Sequence, residues 1–277
     1  MSSNCKNRLL FGYLIFLNEE NENRRMPFVM DSIKSLSILN KQDCDLVVFD
    51  NNSIPSVKKY FKENVKTKNF FSFCENYYDV PVLFLTAYHA KINGYDYCAY
   101  TYDDFIVYSD TFISSCIDFM DSHLDVNCLR LGAYNFSDKD FYDKAKTSLN
   151  VNPDAVRHYN DESRQSLIWE GPFEFENDIF YKTNWHYTSR PSLWRTDDLL
   201  SAFEELDNIP TLREFERFSY GHFKESLGFK VGVLDGGAMR TVKQSEIKDN
   251  PDYKANINKT VDKLKLLGDY EGLINDI

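Results

Sequence analysis

Val80–Asp104 reads VPVLFLTAYHAKINGYDYCAYTYDD, and three signals follow one another in it. The apolar spacing predicts a helix over Val80–Asn93, and Gly94 is its natural stop, because glycine enters the left-handed conformation that ends a helix without steric cost. Tyr95–Thr101 then reads as a short buried strand, and Asp103 and Asp104 follow it directly. A helix that feeds an apolar strand ending in paired carboxylates is one turn of an alternating α/β unit.

The alternation continues in both directions. Upstream, Arg8–Leu17 reads as a strand and Pro27–Leu39 as a helix with proline at its start. Asp45–Asp50 is a second strand. Ser53 is placed to cap a helix running to about Val65, and Asn69–Cys74 is a third strand. Downstream, Ser109–Leu124 reads as a helix and Asn127–Ala133 as a fifth strand. Strands alternating with helices imply right-handed crossovers and a mostly parallel sheet covered on both faces. Ligands of such sheets bind beyond the carboxyl ends of the strands. Three polar clusters fall at that edge: Asn18-Glu19-Glu20, Asp50-Asn51-Asn52 and Asp103-Asp104.

The second half is less regular. From Asn135 to about Lys182 the periodicity fades into polar sequence of the kind that forms functional loops or a subdomain. Regular structure returns with Trp185–Arg195 and with helices near Thr196–Leu206 and Thr211–Leu227. Gly228 closes the latter, and a strand over Phe229–Leu234 leads into Asp235-Gly236-Gly237. From Lys243 the chain is charged, with a peripheral helix expected near Asn258–Leu267.

Composition narrows the class. Of the 277 residues, 32 are Lys or Arg and 43 are Asp or Glu, a net charge of −11 that argues against a nucleic-acid coat or an anionic membrane surface as partner. Six cysteines without a C-x-x-C pair and five histidines without H-x-x-x-H spacing exclude a zinc or disulfide framework and point to a reduced, cytoplasmic setting. The apolar run Leu9–Leu17 is nine residues long, too short to span a bilayer, and reads as a buried first strand. Lys58, Lys59, Lys62, Lys66 and Lys68 read as the solvated face of the second helix. No G-x-G-x-x-G follows the first strand, which ranks dehydrogenases and methyltransferases low. The Asn/Lys/Ile/Tyr/Phe-rich composition suggests an AT-rich genome, viral or bacterial.

A carboxylate pair at a strand's end suits Mg²⁺ or Mn²⁺, which take carboxylate and phosphate oxygens together and neutralise a departing diphosphate. The plainer alternative is a turn that helps to cap the next helix. The position at a shared polar edge favours the former.

Four segments carry a family likeness: YLIFLNEENENRRMPFVMDSIKSL (Tyr13–Leu36), DLVVFDNNS (Asp45–Ser53), TAYHAKINGYDYCAYTYDDFIVYSDTF (Thr86–Phe112) and EFERFSYGHFKESLGFKVGVLDGG (Glu214–Gly237). Through them the chain resembles the GT-A glycosyltransferases, the family-two-like inverting members above all. The resemblance implies a GT-A-like, Rossmann-type sheet and transfer of a sugar from a nucleotide-diphosphate donor, a UDP-sugar first, assisted by Mn²⁺ or Mg²⁺. It divides the chain into a nucleotide-sugar half (1–133), an acceptor and catalytic half of the same domain (134–240) and a helical tail (241–277). Asn18 and Glu20 then border the nucleotide, Asp50 contacts the base, and Asp103 with Asp104 forms the metal motif. By the chemistry of their side chains, Arg24, Arg25 and Arg240 are candidates to face the diphosphate, the first two reading equally as exposed charge before a helix. Lys91 or Asn93 is a candidate to reach the sugar.

Two departures from the family pattern stand out. The first motif aspartate is Thr101, which leaves the ion to Asp103 alone, to both adjacent aspartates, or only weakly held. Asp235 is a candidate late ligand, or else a turn residue before Gly236. Counting back from Gly228 gives Glu216 as the base that takes the acceptor's proton, with Glu214 as its neighbour; Arg217 stands where a second acid is usual. Both acids also read as a solvated helix face. The altered motif and Arg217 keep a second function open: a non-catalytic relative that binds a glycan or a partner. The acceptor is left open between a glycan, a lipid-linked sugar, a protein and a modified nucleic-acid base.

Overall fold

The computed structural model describes residues 8–134, 169–183, 190–212, 214–215, 230–241 and 260–275. The predicted alternation is present: β1 (Leu9–Ile15), α1 (Glu22–Ser35), β2 (Cys44–Asp50), α2 (Pro55–Asn64), β3 (Asn69–Ser72), α3 (Asp79–Asn93), β4 (Tyr97–Tyr102), β5 (Phe105–Val107), α4 (Phe112–Ser122) and β6 (Val126–Tyr134). The second half adds the hairpin β7 (Trp169–Phe175) and β8 (Asp178–Thr183), then β9 (Ser192–Arg195), α5 (Thr196–Glu204) and β10 (Asn208–Ile209). It closes with β11 (Lys230–Asp235), β12 (Met239–Thr241), β13 (Val261–Asp262) and α6 (Lys263–Asn275).

One sheet runs through both halves in the order β3-β2-β1-β4-β9-β6-β11-β8-β7. The β3-β2-β1-β4 pairs are parallel, as is β6 with β11. β9 inserts antiparallel between β4 and β6, so the chain direction of β6 and β11 matches that of β1 to β4. Every residue of β1 is buried, as expected of an inner parallel strand covered on both faces. α3 packs over this centre with ten of its fifteen residues buried, and Gly94 closes it at φ 71°. A Cβ built on Gly12 would lie 2.1 Å from Thr86 Oγ1, so glycine in β1 is what lets α3 come this close. The architecture is the GT-A-like, mostly parallel α/β sheet that the segments above imply.

Several local expectations change. α1 begins at Glu22, so Pro27 lies inside the helix instead of at its start, and its missing N–H removes one backbone bond. Ser53 does not cap α2: its hydroxyl accepts from Leu17 N at 3.2 Å, and Pro55 opens the helix. Lys58 is not merely solvated, since its ammonium lies 3.0 Å from Asp50 Oδ2. Trp194 is fully buried on β9 between Cys98 and Cys128 of the flanking strands, as core.

The tail helix departs most. α6 starts at Lys263 and buries Tyr270 completely. That ring packs on Phe49 and Phe71, and its hydroxyl hydrogen-bonds His89 Nδ1. Asp269 accepts from Tyr77 OH, and Glu271 from Tyr88 OH at 3.2 Å. The tail is therefore part of the first half's core. Among the described residues no helix is long and apolar enough to cross a membrane.

Candidate functional site

β1, β2 and β4 end at one edge, and their registers fix what meets there. Leu14 pairs with Tyr102 and Ile15 with Asp50, which sets Phe16, Asn51 and Asp103 side by side just past the sheet. The chain steps from β1 outward through β2 to β3, then crosses to β4 on β1's other side. The crevice between β1 and β4 is the switch point of this sheet, the place where ligands of open α/β folds bind.

Asp103 closes the floor of the crevice and is only 7% exposed. Its Oδ2 accepts from Phe16 N at 2.9 Å and its Oδ1 from Arg25 Nη2 at 2.8 Å. Arg25 Nη1 also donates to Phe16 O at 3.1 Å. The guanidinium thus joins α1 to the ends of β1 and β4. Burial nevertheless holds the Asp103 carboxyl above the usual carboxylate range, with Arg25 opposing the shift.

Asp104 behaves differently. Its Oδ1 is buried with no hydrogen-bond partner, and burial together with Asp103 and Asp79 pushes its carboxyl up to about 7. Asp79, the first residue of α3, is pushed up to about 6 by burial and by Asp103. Three carboxyls therefore share one arginine; burial first, and the neighbouring negative charge second, raises the two less well paired ones. Asp79 escapes a reading of the motif alone. Its signal was an acid at the head of a helix that must start at the ligand edge, since α3 follows β3.

Thr101, where the family has its first motif aspartate, is fully buried in β4 with its hydroxyl unpartnered. A carboxylate there would be desolvated inside the sheet, away from the crevice. Asp50 is also fully buried: Ser53 N at 2.9 Å, Ser72 Oγ at 2.6 Å and Lys58 Nζ at 3.0 Å occupy its oxygens. It anchors the turn after β2. In that turn Asn52 has φ 63°, and Asn51 Nδ2 donates at 3.1 Å to the carbonyl of Tyr78, itself at φ 64°. Two non-glycine residues in the left-handed region thus face the same edge, a form of backbone strain that gathers at ligand sites.

Other sequence-predicted residues are distributed as follows. Asn18 caps the turn after β1, its Oδ1 accepting from Asn21 N at 3.1 Å and Asn21 Nδ2 at 2.9 Å. Arg24 donates to Asn21 Oδ1 at 3.1 Å, and Glu20 is exposed beside them. Arg240 is exposed on β12, opposite Ile106 of β5, with its guanidinium 6.0 Å from the Tyr108 ring centre. That ribbon begins one residue after Asp104. Asp235 ends β11 at the same edge, with β9 and β6 between its strand and β4.

Lys91 is not brought to this edge. It lies near the far end of α3, where β4 starts, and pairs with Asp197 at 2.7 Å on the surface; Asn93, beside it, donates to His89 O at 2.9 Å. Glu214 forms a capping box, its Oε2 accepting from Thr211 N at 3.0 Å and Thr211 Oγ1 at 2.7 Å. These bonds hold its carboxyl below the usual range. Glu216 and Arg217 lie outside the described residues.

Among the described residues no three His, Cys, Asp or Glu side chains form a metal cage. An ion shared with a diphosphate needs less, one or two protein carboxylates with phosphate and water oxygens completing the shell. Asp104 Oδ1, buried and unpartnered, is a donor of that kind, so the residues fit an ion held jointly with phosphate.

No protein-family model and no curated protein sequence matches the chain. Solved structures do resemble it. A 1–349 fragment of S. aureus TarS in complex with UDP-GlcNAc is 11% identical at a TM-score of 0.49, over 88% of this chain and 61% of that one. A mannosyltransferase from Pyrobaculum calidifontis in complex with GDP-Man and Mn²⁺ is 12% identical at 0.41, over 73% and 47%. A CMP:2-keto-3-deoxy-manno-octonic acid synthetase complexed with CTP is 9% identical at 0.47, over 90% and 97%. The chain thus spans about three fifths of the TarS fragment. By its own strand order, with antiparallel β9 beside β4, the chain has a GT-A-like fold.

Proposed function

We propose that the protein transfers a sugar from a nucleotide-diphosphate donor, a UDP-sugar first, to an acceptor hydroxyl. The observation that carries this reading is the acidic turn Asp103-Asp104 at the β1–β4 switch point, with Arg25 seated across it. In this reading the nucleoside lies over the turns after β1 and β2, where Asn18 and Asn52 are the more exposed polar side chains. Asp50 then acts through the shape of the β2 turn, because its oxygens are already occupied. Arg240 is the exposed cation nearest the acidic turn along the β5–β12 ribbon, placed to meet a phosphate.

Asp104 would hold Mn²⁺ or Mg²⁺ together with the diphosphate. When bound, such an ion neutralises the charge that gathers on the departing diphosphate. Glu214 is committed to its cap, which leaves Glu216 as the proposed base, taking the acceptor's proton during attack from the opposite face and so inverting the anomeric centre.

The test is product release. Purified protein is incubated with UDP- and GDP-sugars and Mn²⁺, and freed nucleoside diphosphate is measured. Turnover that Glu216→Gln lowers by about a hundredfold, within the range of lost general-base catalysis, is the expected result. Absence of any release, with no nucleotide-dependent rise in melting temperature, would overturn the reading.

A further inference from the structure

Tyr78, the residue that leads into α3, has φ 64°, a conformation that a bulky side chain keeps only where its surroundings hold it. Three supports hold it here. Asn51, itself only 1% exposed, accepts from Tyr77 N at 3.4 Å and donates to Tyr78 O at 3.1 Å. Asn76 Oδ1 accepts from Tyr78 N at 2.8 Å. The third support arrives from 192 positions away, where Asp269 of α6 accepts from Tyr77 OH. Lys265 stands one turn earlier on the same face of α6. It pairs with Glu75 at 2.5 Å and lies 5.7 Å from the Tyr77 ring centre. The turn Glu75–Asp79 is thus gripped at once by the turn after β2 and by α6. Both of its neighbours belong to the crevice: Asn51 adjoins Asn52 in the turn over which the nucleoside is proposed to lie, and Asp79 senses the charge of Asp103.

We infer, resting on the nucleotide-sugar reading above, that α6 regulates the crevice: by fixing Tyr77 it holds Tyr78 in the left-handed form, and the seating of α6 and the binding of nucleotide favour each other. With α6 displaced, Tyr77 loses the partner of its hydroxyl and Glu75 loses Lys265. Tyr78 then relaxes to negative φ, which carries its carbonyl off Asn51 Nδ2 and shifts the head of α3 with Asp79. Tyr77 and Asp269 are positioning residues in this scheme, acting on the crevice through Asn51. The coupling is reciprocal: whatever factor the seated helix adds to nucleotide affinity, bound nucleotide adds to the seating of the helix.

The experiment uses the full chain with UDP and GDP as probes, each with Mn²⁺. It reads nucleotide affinity by calorimetry and the hydrogen exchange of α6 amides that occurs by local opening. Tyr77→Phe keeps the ring, which packs on Phe73 at 5.3 Å, and removes only the hydroxyl that reaches α6. It is expected to weaken affinity for the nucleotide that wild type binds by at least about fivefold, the lower end of ordinary coupling between sites. In wild type the nucleotide is expected to slow α6 exchange by a similar factor, and in Tyr77→Phe to leave it unchanged. A merely structural hydroxyl would lower the melting temperature and move neither quantity. Should Tyr77→Phe fail to fold, Asp269→Ala takes its place under the same criteria. An affinity loss smaller than fivefold overturns the inference, as does α6 exchange in wild type that the nucleotide does not slow, and either result leaves the sugar-transfer reading standing. Binding of neither nucleotide by wild-type protein overturns both.

Discussion

Arg25 Nη2 lies 2.8 Å from Asp103 Oδ1, across 78 positions of sequence, and this pair ties α1 to the carboxyl ends of β1 and β4. Asp103 is nearly enclosed, so removing its partner leaves a buried charge uncompensated. Arg25→Leu is expected to lower stability by about 3 kcal/mol, the usual cost of breaking a buried pair from one side. Arg25→Lys, which keeps the charge and loses the fork, should cost clearly less. Urea unfolding of the two variants against wild type checks both; equal stability of Arg25→Leu and wild type would refute the clamp.

Asp104 links the crevice to pH. Its folded carboxyl titrates at about 7, above the unfolded value, so between these pH values the folded state binds more protons than the unfolded one. Its contribution is therefore present at low pH and lost as pH rises through about 7. In metal-free buffer Asp104→Asn is expected to be more stable than wild type at pH 8, with the difference vanishing near pH 4. Melting curves of both proteins across that range supply the comparison, and a difference that does not vary with pH would contradict it.

His89 runs the opposite way. Burial lowers its ring to about 4, with Lys68 adding to the shift, and its Nδ1 is held by Tyr270 while Nε2 is buried without a partner. The unfolded ring, at about 6.5, takes up protons that the folded one refuses, so this contribution is present above pH 6.5 and lost as pH falls toward 4. Because the acidic turn opposes it in that window, the informative quantity is wild type minus His89→Gln. That difference should shrink steadily from pH 7 to pH 4.

Gly12 offers a test of packing with no charge involved. An added methyl would sit 2.1 Å from Thr86 Oγ1 and 2.7 Å from its Cγ2. Both atoms belong to a helix buried along most of its length, which cannot tilt away freely. Gly12→Ala should cost about 1–3 kcal/mol, and the double variant Gly12→Ala/Thr86→Ala should recover part of it. Denaturant midpoints of the four proteins complete the cycle.

The first half was legible because inner parallel strands are continuous apolar runs. LLFGYLI, DLVVFD and YCAYTY announce themselves in that way, and the crossover rule then arranges them. β9 was not readable as the strand between β4 and β6. Four residues, Ser192–Arg195, carry no period long enough to reveal an antiparallel insertion, and their partners lie more than sixty positions upstream. At the site, the acidic turn was visible as a motif, whereas the state of each acid was not. Nothing local tells Asp103, held by Arg25 and Phe16, from Asp104, which is held by neither. Lys91 misled for a related reason: its place before the β4 strand is close in sequence, yet a helix of fifteen residues carries it to the other end of the sheet.

Tyr270 has one more consequence. It completes an aromatic nest whose other walls, Phe49, Phe71 and His89, are laid down early in the chain, His89 itself 181 positions before. During synthesis the opening segments can collapse and pair their strands, but the hollow that awaits the tail stays wet until translation has passed Tyr270. The first half's core is thus closed by α6, and the sequence separation between Tyr270 and its aromatic partners makes that closure a long-range, late step of folding.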